Sequence, residues 1–201
     1  MDGRVRVNAT AFHSGYNDKQ EDILIPTGPG EVNSHIKNAG TAEIQGLELE
    51  VQAQITTGLS AYMMAGMLDT EYTDFTADIT GDGIETDNSH LTFRNAPEAT
   101  FGMGFDYVQS LSVGEFSANY SYRWSDEYET EFFNDPRSHA DAMGIHNVSL
   151  SLSIDDKYTL SFYGRNLTDE RHARLVKIGP IAQGGTWSTP RNVGASFTVD
   201  F

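Results

Sequence analysis

The sequence contains no cysteine, and this absence excludes several kinds of chemistry. Disulfide bonds, thiolate metal sites and cysteine nucleophiles are all ruled out. Cationic residues are scarce as well, because 13 Lys and Arg stand against 29 Asp and Glu and leave a net charge of −16. An acidic surface repels a phosphate backbone, so no nucleic-acid partner is expected. No apolar run approaches the ~20 residues of a transmembrane helix.

A leader segment is also missing from the start of the sequence. Residues 1–4 run directly into the alternating residues Val5, Val7 and Ala9, without a basic segment followed by an apolar one. We therefore expect the chain to be the later part of a longer protein, or a mature segment whose beginning lies upstream.

The sequence shows no recognisable catalytic or metal-binding pattern. Its six histidines have neither H-x-H nor H-x-x-x-H spacing. Segment 78–83 resembles a calcium loop, but Thr80 occupies the third position and Ser89 stands where the pattern requires a bidentate Glu. We predict no catalytic residue, no metal site and no cofactor, and a protein that is not an enzyme.

Alternating apolar and polar residues are the strongest pattern that is present. The period of two fits β-strands with one apolar and one polar face. The facing of residues 59–68 stays open, because this stretch does not alternate clearly. Eight strands are predicted, roughly at 4–20, 37–55, 59–75, 91–108, 115–131, 143–155, 158–167 and 190–201.

The connections between these strands alternate in length. Transmembrane β-barrels have short periplasmic turns and long extracellular loops. If the C-terminus is periplasmic, every tight link lies on that side and every long one outside. The sequence therefore predicts an all-β fold, namely an antiparallel transmembrane β-barrel. The tight links are 56–58, 110–114 and 155–157, and the long ones are 21–36, 76–90, 131–142 and 168–189.

Three stretches resemble signature motifs of TonB-dependent outer-membrane receptors. Residues 38–50 (NAGTAEIQGLELE) resemble N-x-G-x-A-x-x-x-G-x-E, and residues 162–170 (FYGRNLTDE) resemble G-x-N-L-(F/T)-D-E. Residues 190–201 (PRNVGASFTVDF) resemble the family ending P-R-x-x-G-x-x-F-x-x-x-F. Their order and spacing match the family across nearly the whole chain.

The resemblance implies a barrel of about 22 strands with a plugged lumen. Such receptors import scarce ligands, for example iron–siderophore complexes. The protein TonB supplies the energy from the inner membrane by binding a short N-terminal segment of the receptor, the TonB box. Residues 1–201 then form a partial barrel domain of about eight C-terminal strands, without the plug domain and the TonB box. The family's assembly signal falls on Phe197, Val199 and Phe201.

The same resemblance implies a location and a set of partners. The location is the outer membrane of a Gram-negative bacterium. The partners are the TonB complex, the barrel-assembly machinery, outer-membrane lipid and a small-molecule ligand such as a siderophore. The motif residues themselves are interpreted as architectural: Gly40 and Gly46 allow the strand to bend, Glu48 and Glu50 are lumen residues, and Asp169 and Glu170 cap a turn.

Three carboxylates are candidate ligand-vestibule residues. Glu127, Glu129 and Glu131 continue the polar face of the strand that carries Ser117 to Ser125. Carboxylates on one face attract a cationic or metal-bearing ligand. The alternative is a solvated strand end that divalent ions bridge to lipopolysaccharide phosphates.

The sequence is also compatible with two other functions. One is an autonomous eight-stranded outer-membrane barrel with a structural or adhesion role, since eight strands suffice to close a barrel. The other is a soluble carbohydrate-binding β-sandwich that uses Trp124 or Trp187 as a stacking platform. A heat-modifiable gel shift at this length favours the first, and detergent-free solubility favours the second.

Overall fold

The computed structural model describes residues 3–28, 31–38, 40–155, 157–178 and 183–200. Within these ranges the regular secondary structure consists of sixteen β-strands, β1 to β16. The described ranges contain no helix that is long and apolar enough to cross a membrane.

Eight long strands form one antiparallel sheet in which neighbours in space are neighbours in sequence order. The prediction of eight antiparallel strands is confirmed. The outer strands, β1 and β16, do not pair with each other within the described ranges, so the sheet stays open. The eight strands are β1 (Val5–Tyr16), β4 (Thr41–Thr56), β5 (Leu59–Asp74), β8 (Ala99–Leu111), β9 (Gly114–Ser125), β12 (Met143–Ile154), β13 (Tyr158–Arg165) and β16 (Asn192–Val199).

Each long connection contains a small two-stranded sheet of its own, which the sequence analysis did not predict. These pairs bend the connections back on themselves, so the loop end of the large sheet carries folded hairpins. The pairs are β2 (Gln20–Gly28) with β3 (Glu31–Asn38), β6 (Thr76–Ala77) with β7 (Thr86–Asp87), β10 (Tyr128–Glu129) with β11 (His139–Ala140), and β14 (Ala173–Ile178) with β15 (Gln183–Trp187).

Several predicted strand ends were wrong. β1 ends at Tyr16 instead of 20, β8 begins at Ala99 instead of 91, and β9 ends at Ser125 instead of 131. Asp18 and Asn95 each adopt a φ of 56°. Residues in this left-handed region leave the extended conformation, so they interrupt the strand patterns next to β1 and β8.

The register divides the large sheet into an apolar and a polar face. Leu49 pairs with Ala9 on one side and with Ala65 on the other. Because side chains alternate along a strand, this register fixes the facing of residues 59–68. The apolar face receives Ala61, Met63, Ala65 and Met67, and the polar face receives Tyr62, Met64 and Gly66.

The tight turns and the long connections lie at opposite ends of the sheet. The tight turns join β4 to β5, β8 to β9, and β12 to β13. In an antiparallel meander successive connections alternate between the two ends, so all four long connections share the other end. The predicted segregation of short and long links is confirmed.

The most buried apolar cluster lies at the long-connection end of the sheet. Phe75 and Phe132 are both 0% exposed, and Tyr72 and Phe93 pack with their ring centroids 4.5 Å apart. Ala42, Ala77 and Leu91 complete the cluster. We call this group, with its attached connections, the loop cap. Ala42 and Tyr72 belong to β4 and β5 at the end of the large sheet, and the other members lie in the connections.

Candidate functional site

Two glycines of the first motif stand where a side chain does not fit. Gly40 has a φ of +95°, and a Cβ there would lie 2.0 Å from the carbonyl oxygen of Asp74. A Cβ on Gly46 would lie 2.5 Å from the carbonyl oxygen of Met67 and 2.6 Å from Cζ of Phe12. Both glycines therefore allow close approach of neighbouring chain, which is an architectural role.

The second motif ties the last long connection to the final strand. The Asn166 side-chain amide donates to the carbonyl oxygens of Glu170 and Thr189, at 2.8 and 3.0 Å. The backbone N–H of Arg191 donates to Asp169 at 2.9 Å, and this hydrogen bond lowers the pKa of Asp169. Asp169 thus fixes the entry into β16, close to the predicted turn-capping role.

The predicted assembly residues lie partly within the described chain. Phe197 pairs with Leu160 and Val199 pairs with Tyr158, all on the apolar face. The rings of Phe197 and Tyr158 are stacked with centroids 6.1 Å apart, and Phe197 is 65% exposed. Phe201 lies outside the described residues. The role of these residues in assembly remains a prediction.

The three candidate vestibule carboxylates lie beyond the end of β9 and have different surroundings. Glu127 is exposed, with Oε2 3.7 Å from Nε2 of His139. Glu129 lies on β10 and is 3.0 Å from Nδ1 of His139, a hydrogen bond that raises the pKa of this histidine. Glu131 is 7% exposed, and burial raises its pKa. Their role in binding a ligand remains a prediction.

A buried carboxylate connects several segments of the loop cap, and no sequence pattern indicated it. Glu21 is 2% exposed and accepts a 2.8 Å hydrogen bond from the Tyr72 hydroxyl. It forms ion pairs with Lys19 and with Arg94, whose Nη2 lies 3.2 Å from Oε2. Arg94 also pairs with Asp22 at 2.6 Å. Tyr72 and Arg94 are distant from Glu21 in sequence, so no local pattern could have indicated these two contacts.

The calcium-like segment uses its first carboxylate to organise its own backbone. Asp78 accepts hydrogen bonds from the backbone N–H groups of Thr80, Gly81 and Gly83, at 3.1, 2.7 and 2.9 Å. Burial opposes ionisation of Asp78, but these hydrogen bonds lower its pKa. Within the described residues no three His, Asp or Glu side chains lie close enough to hold a metal ion.

A concave pocket of about 720 Å³ opens on the polar face near the long-connection end. Strands β5, β8, β9, β12, β13, β14 and β16 contribute to its wall, together with the connection between β13 and β16. No Asp or Glu lies among the described residues that line it. The polar residues of the lining are Tyr62, Ser121, Tyr122, Arg123, Asn147, Arg165, Asn166, His172, Arg174, Ser188, Thr189 and Asn192.

The sequence matches one known family. The model of the family described as "TonB dependent receptor-like, beta-barrel" matches residues 1–167. No curated protein matches the sequence significantly.

Solved structures with the same fold are receptors of that kind. The ferric yersiniabactin uptake receptor FyuA from Yersinia pestis aligns with a TM-score of 0.73 and 18% identity over 100% of this chain. The siderophore receptor PiuA from Acinetobacter baumannii aligns with a TM-score of 0.71 and 16% identity over 98%. The ferric-catecholate import receptor Fiu from E. coli K12 gives 0.69 and 14% over 98%. The chain spans about a quarter of these receptors, namely 28%, 26% and 25% of their lengths.

Proposed function

Because this chain belongs to the TonB-dependent receptor β-barrel family, we propose that it is the closing arc of a receptor that imports a ferric siderophore. The family consists of outer-membrane transport receptors of Gram-negative bacteria, which are not enzymes. The proposed energy source is the TonB complex, which acts on the N-terminal part of such receptors, where the TonB box and the plug domain lie. Residues 1–201 supply about eight strands of the barrel wall in this proposal.

One observation carries the proposal: no described element of the chain packs over the apolar face of the sheet. Val7, Leu47 and Phe197 on this face are 58%, 57% and 65% exposed. Exposing so large an apolar surface to water costs free energy, whereas contact with the hydrocarbon core of a bilayer avoids this cost. The polar face then lines the lumen, as in transmembrane barrels.

The two outer strands support a larger barrel. Along their outer edges β1 and β16 pair with no other strand that the structure describes, and lipid does not satisfy unpaired backbone groups. Further strands of the same barrel would pair with them. An autonomous eight-stranded barrel requires β1 and β16 to pair with each other, and a sandwich requires two packed sheets. The open single sheet favours neither alternative.

The orientation follows from the long connections. In transmembrane barrels the long loops are extracellular, so the loop cap and the polar-face pocket would lie towards the outside. Tyr107 near the short turns and Trp124 near the long connections would sit in the aromatic belts at the two interfaces. Outer-membrane lipid and the barrel-assembly machinery are the corresponding partners.

The similar solved structures support a ferric siderophore as the class of ligand. FyuA is a ferric yersiniabactin uptake receptor, PiuA a siderophore receptor and Fiu a ferric-catecholate import receptor. Glu127, Glu129 and Glu131 remain proposed vestibule residues that would attract a metal-bearing ligand.

Uptake of radioactive iron by the source cells tests this function. Cells that carry the complete receptor gene should accumulate iron from a ferric siderophore, and deletion of the gene should abolish that uptake. Depletion of TonB should have the same effect as the deletion. Uptake that persists without TonB would contradict the energy source, and uptake that persists without the gene would contradict the transport role.

A further inference from the structure

Three arginines line the polar-face pocket without a carboxylate that neutralises them. Arg123 lies on β9 opposite Gly102, Arg165 ends β13, and Arg174 lies on β14. None of the three forms an ion pair with any residue that the structure describes, although three other arginines of the chain do. Six of the nine arginines have no ion pair with a described residue, and three of these six gather around this one pocket.

His172 gives an independent indication of a ligand. The residue is 9% exposed and lines the same pocket. Its Nδ1 is buried and has no hydrogen-bond partner within the described ranges. Burial lowers the pKa of His172 and so favours the neutral ring. A buried nitrogen without a partner costs free energy, which a ligand atom at this position would recover.

The frame around His172 is well fixed. The backbone N–H of His172 donates to Oγ of Ser188 at 3.2 Å, and the N–H of Ser188 donates to the carbonyl oxygen of His172 at 2.9 Å. Asn166, at the base of the same connection, is held by the hydrogen bonds of the second motif. His172, which lines the pocket, therefore lies in a segment that these hydrogen bonds hold in place.

The size and lining of the pocket suit a small ligand. Its volume of about 720 Å³ lies within the range of roughly 300–1,000 Å³ that is typical of small-molecule sites. Guanidinium groups bind carboxylates and other oxyanions through paired, charge-assisted hydrogen bonds. Asn147 and Ser188 also line the pocket and add no negative charge.

We propose that this pocket binds an anionic oxygen group of the transported ligand, a carboxylate or a deprotonated catechol, through Arg123, Arg165, Arg174 and His172. The proposal rests on the import function proposed above and specifies the charge of the ligand. The receptor should accordingly prefer ferric complexes with a net negative charge over uncharged or cationic ones. A second possible source of the same oxygen groups is an acidic segment of the receptor's own plug.

Binding of chemically defined ferric complexes to the complete purified receptor tests the proposal. The probes are ferric citrate and a ferric tris-catecholate, which are anionic, together with an uncharged and a cationic ferric tris-hydroxamate. The pocket variant carries Arg123→Gln, Arg165→Gln and Arg174→Gln. The control variant carries Arg4→Gln, Arg6→Gln and Arg137→Gln, which remove the same charge from exposed positions outside the pocket.

We expect the wild type to bind at least one anionic complex about tenfold more tightly than the uncharged one. The pocket variant should lose that preference, and the control variant should keep it within about twofold. His172→Gln should weaken the anionic complex while the affinity for the uncharged complex stays unchanged.

Several results would overturn the proposal. These are a wild-type preference for the uncharged or cationic complex, no binding of either anionic complex, or an equal loss in the pocket and control variants. A pocket variant with unchanged charge preference and a lowered melting temperature would assign the arginines to contacts with the plug. If TonB-dependent uptake of any ferric complex persists in these cases, the import function stands and only the anion-binding pocket is refuted. The failure of one proposal can therefore be distinguished from the failure of the other.

Discussion

The hydroxyl of Tyr72 donates a 2.8 Å hydrogen bond to Glu21, a carboxylate 51 residues earlier in the chain. Tyr72 lies near the end of β5 and Glu21 lies in β2, so this contact joins the large sheet to the first long connection. Arg94 reaches the same carboxylate from the connection after β5. One buried acid thus holds three segments of the loop cap together.

Arg94→Met should loosen the loop cap. The substitution removes ion pairs to Glu21 and Asp22 and leaves Glu21 buried with less compensation. Breaking a buried pair by removing one partner costs 3–5 kcal/mol, and about 1–3 kcal/mol is expected here because Arg94 is partly exposed. Hydrogen exchange of segment 20–22 in the complete receptor measures the effect. The control is Arg137→Met, which breaks an exposed ion pair with Asp135 and should change the protection of this segment little. Equal protection in the two variants would contradict the role of Arg94.

Leu150→Arg should destabilise the receptor in lipid, whereas Ser149→Arg should be tolerated. Leu150 pairs with Ala118 and Phe162 on the apolar face, and Ser149 is its neighbour on the polar face. A lipid-facing Arg near the bilayer centre costs about 2–4 kcal/mol, but a lumen-facing Arg remains hydrated. Denaturant unfolding of the receptor in lipid vesicles compares the two variants. Equal losses of stability would show that the two faces are not lipid and lumen.

The hairpin of β10 and β11 should become less stable as the pH rises. The hydrogen bond to Glu129 raises the pKa of His139 above its usual value. A raised pKa favours the protonated form in the fold, so this contribution is fully present below about pH 6.5. It is lost as the pH rises through the raised pKa of His139. Hydrogen exchange of residues 139–140 against pH should show the decline, and His139→Gln should remove it; a decline that persists in this variant would have another origin.

The vestibule proposal predicts that uptake depends on Glu127, Glu129 and Glu131. Replacing all three by Gln in the complete receptor should lower the rate of iron uptake, because the attraction for a metal-bearing ligand is removed. Glu127→Gln alone should account for most of the loss, since Glu127 is exposed while Glu131 is buried and Glu129 is paired with His139. Unchanged uptake in the triple variant would remove these residues from the vestibule.

Local patterns predicted the strands that alternate regularly. In β12, Val148, Leu150 and Leu152 alternate with serines, so its span of 143–154 was predicted to within one residue. The facing of residues 59–68 was not predictable from pattern, because Met side chains occupy both faces of β5 and Tyr62 lies on the polar face. Only the register with β4, where Leu49 pairs with Ala65, decides it.

The ends of elements and the sites depend on contacts that are distant in sequence. The alternating pattern continues past Ser125, but β9 ends there and the chain pairs again only in the small sheet of β10 and β11. Glu21 becomes buried only when β5 and the connection that carries Arg94 meet above it. The pocket draws residues from several strands and one connection, so its arginines carried no sequence pattern.

A blot of the outer-membrane fraction of the source cells tests the central claim most directly. The probe is an antibody against residues 186–201, the end of the chain. If the chain is an arc of a TonB-dependent receptor, the band should lie in the outer-membrane fraction, several-fold above the 22.2 kDa of this sequence. A membrane band near 22.2 kDa would contradict the larger barrel, and a band in the soluble fraction would contradict the membrane location itself.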